Sequence, residues 1–176
     1  MNRDFEKVFE GILGMPCWDA KPGYGSFLTM EFGRPHLEVR EPIAVSTPAT
    51  AKVRKQLARR QVYPRGEWHL WIKDCDWEVH CGGKRVGDSS TRVRTRRAAD
   101  FLNGQRLLRF SILPRKVQSF FVFDLGATLK TLPYDNNSEQ WLLFEPSQKV
   151  LVLRADGRYK YTRSKATTGS GTWKRI

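Results

Sequence analysis

Residues 66–81 read GEWHLWIKDCDWEVHC and hold three of the chain's six tryptophans, two of its three histidines and two of its three cysteines. The stretch alternates apolar and polar residues on both sides of KDCD, the pattern of two strands with one buried face each. If KDCD (73–76) is a hairpin loop, Ile72 pairs with Trp77, Leu70 with Val79, His69 with His80 and Trp71 with Glu78. Trp68, Leu70, Ile72, Trp77, Val79 and Cys81 then share an apolar face, and His69, Trp71, Glu78 and His80 share the other. Side chains directly opposite on one face sit about 5 Å apart at Cβ, so two imidazoles and a carboxylate would converge. Such a set suits acid–base chemistry or a weak metal site at His69, Glu78 and His80. It lacks the closed ligand count of structural zinc, and Cys75 with Cys81 has no CxxC spacing. The plain alternative is the wetter face of a half-buried sheet.

The rest of the chain carries the same strand pattern. Short alternating runs fall at 26–32, 36–41, 67–72, 77–81, 106–112, 119–125, 128–132, 140–145, 149–154 and 158–163. Phe5, Val8, Phe9, Ile12 and Leu13 have helical spacing, between a cap at Asn2 or Asp4 and a stop at Gly14. SSTRVRTRRAADFLNG predicts a second helix, from a Ser89/Ser90 cap to Asn103-Gly104. The segments MPCWDAKPGYG and GGKRVG read as loop and turn.

Two blocks recur in the same order. Residues 26–37 lie on 119–129, setting Ser26 on Ser119, Phe27 on Phe120, Glu31 on Asp124 and Gly33 on Gly126. Residues 67–79 lie on 140–152, setting Trp68 on Trp141 and Val79 on Val152. The expected fold is α+β and predominantly antiparallel β. Two sheets related by an approximate two-fold axis form a sandwich or half-open barrel, with an N-terminal helix and one mid-chain helix outside. The expected organisation is one domain over 1–176, with the duplication covering about 26–81 and 119–163.

The halves differ in one long segment. Leu129 to Trp141 spans twelve positions, but Leu37 to Trp68 spans thirty-one. The excess lies in a basic insertion over about 42–65, expected to be mobile, and residues 42–66 carry six Lys/Arg and no acid. A linker-like C-terminal tail is expected over about 164–176. The net charge of +13 is therefore regional, and a positive surface facing an anionic partner follows.

Composition narrows the function classes. At 176 residues with 40% apolar content the chain can build a core, and no apolar run approaches the roughly 18 residues that cross a bilayer. A cytoplasmic protein without membrane insertion is expected, its three cysteines free thiols. No GxSxG, P-loop or cofactor motif is present, and no cofactor is expected. No RNP, KH, finger or helix-turn-helix pattern is present either, although the cations of 52–65 and of TRVRTRR, with Tyr63 nearby, suit phosphates and exposed bases. The leading expectation is a non-enzymatic binding module engaging an acidic protein. Arg54, Lys55, Arg59 and Arg60 supply charge, with Tyr63, His69, Trp71, Glu78 and His80 alongside. A nucleic-acid-binding protein is the first alternative, and an enzyme of unfamiliar type using His69, Glu78 and His80 the second.

Overall fold

The two strands of GEWHLWIKDCDWEVHC exist, but they belong to different sheets. The computed structural model describes residues 3–43, 50–164 and 171–176. In chain order its elements are α1 (Arg3–Glu10), β1 (Trp18–Pro22), β2 (Leu28–Phe32), β3 (His36–Arg40), α2 (Ala51–Leu57), β4 (Gln61–Arg65), β5 (Trp68–Ile72), β6 (Asp76–Cys81) and β7 (Lys84–Asp88). They continue as α3 (Arg92–Leu102), β8 (Leu107–Leu113), β9 (Gln118–Phe123), β10 (Ala127–Leu132), β11 (Glu139–Phe144), β12 (Lys149–Arg154), β13 (Arg158–Arg163) and β14 (Lys174–Arg175). Among the described residues fourteen strands form three antiparallel sheets, and no closed barrel results.

One sheet runs β1-β2-β5-β11-β12-β13-β14 and the other β7-β6-β10-β9-β8. Read from β1, the first order is β1-β2-β5-β11-β12; read from β8, the second is β8-β9-β10-β6-β7. The two orders are equivalent if β1, β2, β5, β6 and β7 correspond to β8, β9, β10, β11 and β12. Trp77 on β6 and Trp141 on β11 then occupy matching places. Trp77 Nε1 donates to the Ser26 carbonyl at 2.8 Å and Trp141 Nε1 to Ser119 Oγ at 2.9 Å. The first sequence block, Ser26 on Ser119, agrees with this order; the second, Trp68 on Trp141, does not.

The hairpin expected over 66–81 is thus replaced by a crossover. The KDCD amides do not bridge their own flanking strands: Lys73 N donates to the Gln140 carbonyl at 2.8 Å and Asp74 N to the Glu139 carbonyl at 3.0 Å. The chain leaves one sheet along the start of β11 and enters the other. Trp68, Leu70, Ile72, Trp77 and Val79 all reach the core, packed face to face across the sandwich.

Helices α1 and α3 flank the sandwich as expected, each packing across an open side between the two sheets. Phe5 and Phe9 of α1 meet Phe110 of β8 on one sheet and Trp141 of β11 on the other, and Phe5 also meets Tyr159 of β13. Across the molecule α3 packs on the edge strands β1 and β7, burying Thr95, Ala98, Ala99 and Leu102. Its N-cap is Thr91, whose hydroxyl accepts from Arg94 N at 3.3 Å, rather than Ser89 or Ser90. In GGKRVG, Gly82 and Gly83 form the expected turn and Lys84–Gly87 continue into strand β7. The tail expected over 164–176 contributes β14, which adds to β13, while residues 165–170 lie outside the described ones.

Candidate functional site

The connection between β2 and β5 is where the two halves part. β9 and β10 are joined by the three residues Asp124–Gly126, whereas the equivalent neighbours β2 and β5 are separated by β3, α2 and β4. β3 and β4 pair only with each other, as a two-stranded ribbon. Together with α2 they form an arm. Over 50–65 the basic insertion contains α2 and β4; residues 44–49 lie outside the described ones.

Register divides the ribbon into two chemically opposite faces. Leu37 lies opposite Pro64 and Val39 opposite Val62, and this face is open to solvent, with Leu37 71%, Val39 51% and Val62 54% exposed. His36 lies opposite Arg65, Glu38 opposite Tyr63 and Arg40 opposite Gln61 on the other face. That polar face looks across a cleft of about 740 Å³ at β5 and at the β11–β12 turn. The arm therefore turns its apolar side outward.

Beneath the arm lies a buried charge network. Glu31 on β2 is opposite His69 on β5 and only 1% exposed. Its Oε1 meets His69 Nδ1 at 2.6 Å and Arg65 Nη1 at 2.8 Å, and its Oε2 accepts from Gly66 N at 3.0 Å. Arg65 Nε also pairs with Glu38 at 2.7 Å. Burial opposes ionisation of Glu31, but His69, the Gly66 N–H and Arg65 more than offset it and hold the carboxyl below its ordinary range. Burial pushes His69 down despite Glu31, and Arg65 Nη1 at 3.1 Å from Nε2 leaves no room for a second cation. His69 is therefore the neutral partner of an ionised glutamate. Glu31, known from the sequence only as the counterpart of Asp124, is the centre of this site.

His69, Trp71 and Phe144 form one aromatic wall, with ring centroids 5.4–6.0 Å apart. They share a face because His69 lies opposite Phe144 and Trp71 opposite Leu142. Tyr63 is on the arm's inner face, with the Arg40 and Arg65 guanidinium carbons 5.0 and 5.2 Å from its ring centre.

Glu78 and His80 are elsewhere, on β6 in the other sheet. His80 Nε2 meets Glu78 Oε2 at 2.9 Å, and Arg85 meets the second Glu78 oxygen at 3.3 Å. The expected His69–Glu78–His80 cluster is not assembled, because β5 and β6 are not neighbours. Among the described residues no group of three or more His, Cys, Asp or Glu is placed to hold a metal ion.

Of the four charge-contact residues, Arg54 and Lys55 lie on α2, and Arg59 and Arg60 follow it. All four are exposed. Arg60 pairs with Glu41 at 2.9 Å; Arg54, Lys55 and Arg59 have no ion-pair partner among the described residues. Arg85 of β7 and Arg94 of α3 are both tied to Asp88. No described helix is long and apolar enough to cross a membrane. Comparison with protein-family models, curated proteins and solved structures finds no match to this chain.

Proposed function

We propose that this protein is a non-enzymatic binding module that captures an acidic protein partner through the arm. The observation that carries the reading is the arm itself. A connection that the other sheet makes in three residues is here a ribbon and helix, with an exposed apolar face on the ribbon and unneutralised cations on and after the helix. An apolar face of Leu37, Val39, Val62 and Pro64 suits protein contact, and Arg54, Lys55, Arg59 and Arg60 supply electrostatic steering.

The geometry favours protein over nucleic acid for a specific reason. Binding to exposed bases needs flat rings beside cations. Tyr63, the arm's one aromatic residue, is only part-exposed on the ribbon's inner face, where its ring already carries the Arg40 and Arg65 guanidinium groups at 5.0 and 5.2 Å. The test is capture from a native-host lysate at low and moderate salt, identifying both protein and nucleic acid. Arg59→Glu/Arg60→Glu should slow association about tenfold at low salt, within the range that steering supplies, while leaving the melting temperature unchanged. Unaltered capture by a normally folded variant, or recovery of nucleic acid alone, would overturn the reading.

A further inference from the structure

The arm's inner face carries the opposite charge balance. Around the cleft stand Glu38, Glu67 and Glu145, with Glu31 behind them, against the guanidinium groups of Arg40 and Arg65. Both guanidiniums are already engaged: Arg65 with Glu31 and Glu38, Arg40 with Glu38 at 3.1 Å. Glu67 and Glu145 have no cationic partner among the described residues. Neutral donors hold them instead, the Arg34 N–H on Glu67 at 2.9 Å and the Tyr161 and Ser147 hydroxyls on Glu145. In a chain of net charge +13, this cleft retains uncompensated carboxylates beside an aromatic wall.

We infer that the cleft binds a ligand presenting an alkylammonium group, seated against Trp71 and Phe144 and flanked by Glu67 and Glu145. The ring faces attract a cation through their quadrupoles, and the two carboxylates supply charge that no resident cation cancels. An anionic ligand is disfavoured because it would meet Glu67 and Glu145 while the guanidiniums remain committed. His69, kept neutral by burial, adds no opposing charge to the wall. The site lies on the other side of the ribbon from the exposed apolar face, so it stands or falls separately from the proposed capture of an acidic partner.

The same ammonium chemistry is offered by a free amine or by a lysine side chain, and the experiment separates them. The intact protein is titrated with n-butylammonium chloride, with spermidine, with a blocked lysine peptide and with n-butanol as the neutral isostere. Indole and backbone amide NMR shifts are followed. Saturable binding of the amines, with the Trp71 indole signal moving and n-butanol at least about tenfold weaker, is expected. Tighter binding of spermidine than of the peptide assigns a free amine, and the reverse a polypeptide lysine. Glu67→Gln/Glu145→Gln should weaken amine binding about tenfold and Trp71→Leu by at least as much, with melting temperature checked for each. Glu67→Gln alone, at an exposed position, keeps the test available if Trp71→Leu does not fold. Equal binding of amine and alcohol, no saturation by any amine, or undiminished amine binding in Glu67→Gln/Glu145→Gln would overturn the inference.

Discussion

Replacing Arg65 by Met removes the guanidinium group that joins the arm to the seven-stranded sheet. In the folded protein Arg65 meets Glu31 at 2.8 Å and Glu38 at 2.7 Å, and Glu31 is 1% exposed. Breaking a buried pair from one side costs about 3–5 kcal/mol when the remaining charge has no other support. Glu31 keeps the Gly66 N–H at 3.0 Å and His69 at 2.6 Å, which lowers the expected loss to about 2–3 kcal/mol. For a chain of this size that is a drop of about 4–12 °C in melting temperature. Urea unfolding of the wild type, Arg65→Met, Glu31→Gln and the double variant closes a thermodynamic cycle. A coupling energy of about 2 kcal/mol is expected, since Glu31→Gln removes the charge that Arg65 was serving. The carboxyl titration of Glu31 should also move upward in Arg65→Met. Additivity within about 0.5 kcal/mol would refute the network as the arm's anchor.

Other expectations follow from individual contacts. Stability should fall as pH is lowered, in two stages. His69 titrates below 6.5 in the folded protein, so the unfolded chain takes up its proton first and stability is lost as pH falls from there. Glu31 titrates below 4.5, so its contribution, full above that value, is lost as pH falls through the folded one. His69→Gln should flatten urea-measured stability between pH 6.5 and 4.5, and an unchanged slope would contradict the assignment. In Gly66→Ala the added methyl meets the Phe32 carbonyl at 2.5 Å and the Trp68 carbonyl at 2.9 Å, backbone atoms that cannot turn aside. A loss of about 3 kcal/mol is expected in thermal unfolding. Gly14→Ala, with open space but a φ of +80°, should lose only about 1 kcal/mol. Ser119→Ala leaves the buried Trp141 N–H unpaired and should cost about 1–3 kcal/mol.

Alternation along the strands was legible and strand partnership was not, for one physical reason. A two-residue period reports which side chains face the core, and Trp68, Leu70, Ile72, Trp77 and Val79 do face it. Two strands side by side and two strands face to face give the same period. Nothing local to KDCD signals that its amides bond to β11, about sixty-five residues away. β4 escaped notice because Pro64 breaks the strand pattern, a residue tolerated here on a ribbon edge. Helix α2 lay hidden among cations, although Thr50 caps it with its hydroxyl on Val53 N. Glu31 could not be recognised as a site residue without the β2–β5 register that sets it opposite His69. The length and charge of the insertion were legible in the sequence, and so was the shared face of His69 and Trp71, which the structure sets along the cleft beneath the arm.

The most direct test of the account places a photo-crosslinking residue at Val62, on the arm's exposed face, and at Leu108, 52% exposed on the opposite sheet's edge strand, in the native host. Mass spectrometry of the adducts should recover an acidic protein from Val62 and not from Leu108. The adduct should be lost on adding Arg59→Glu/Arg60→Glu. Nucleic-acid adducts at Val62, or the same protein adducts from both positions, would contradict the arm as the binding surface.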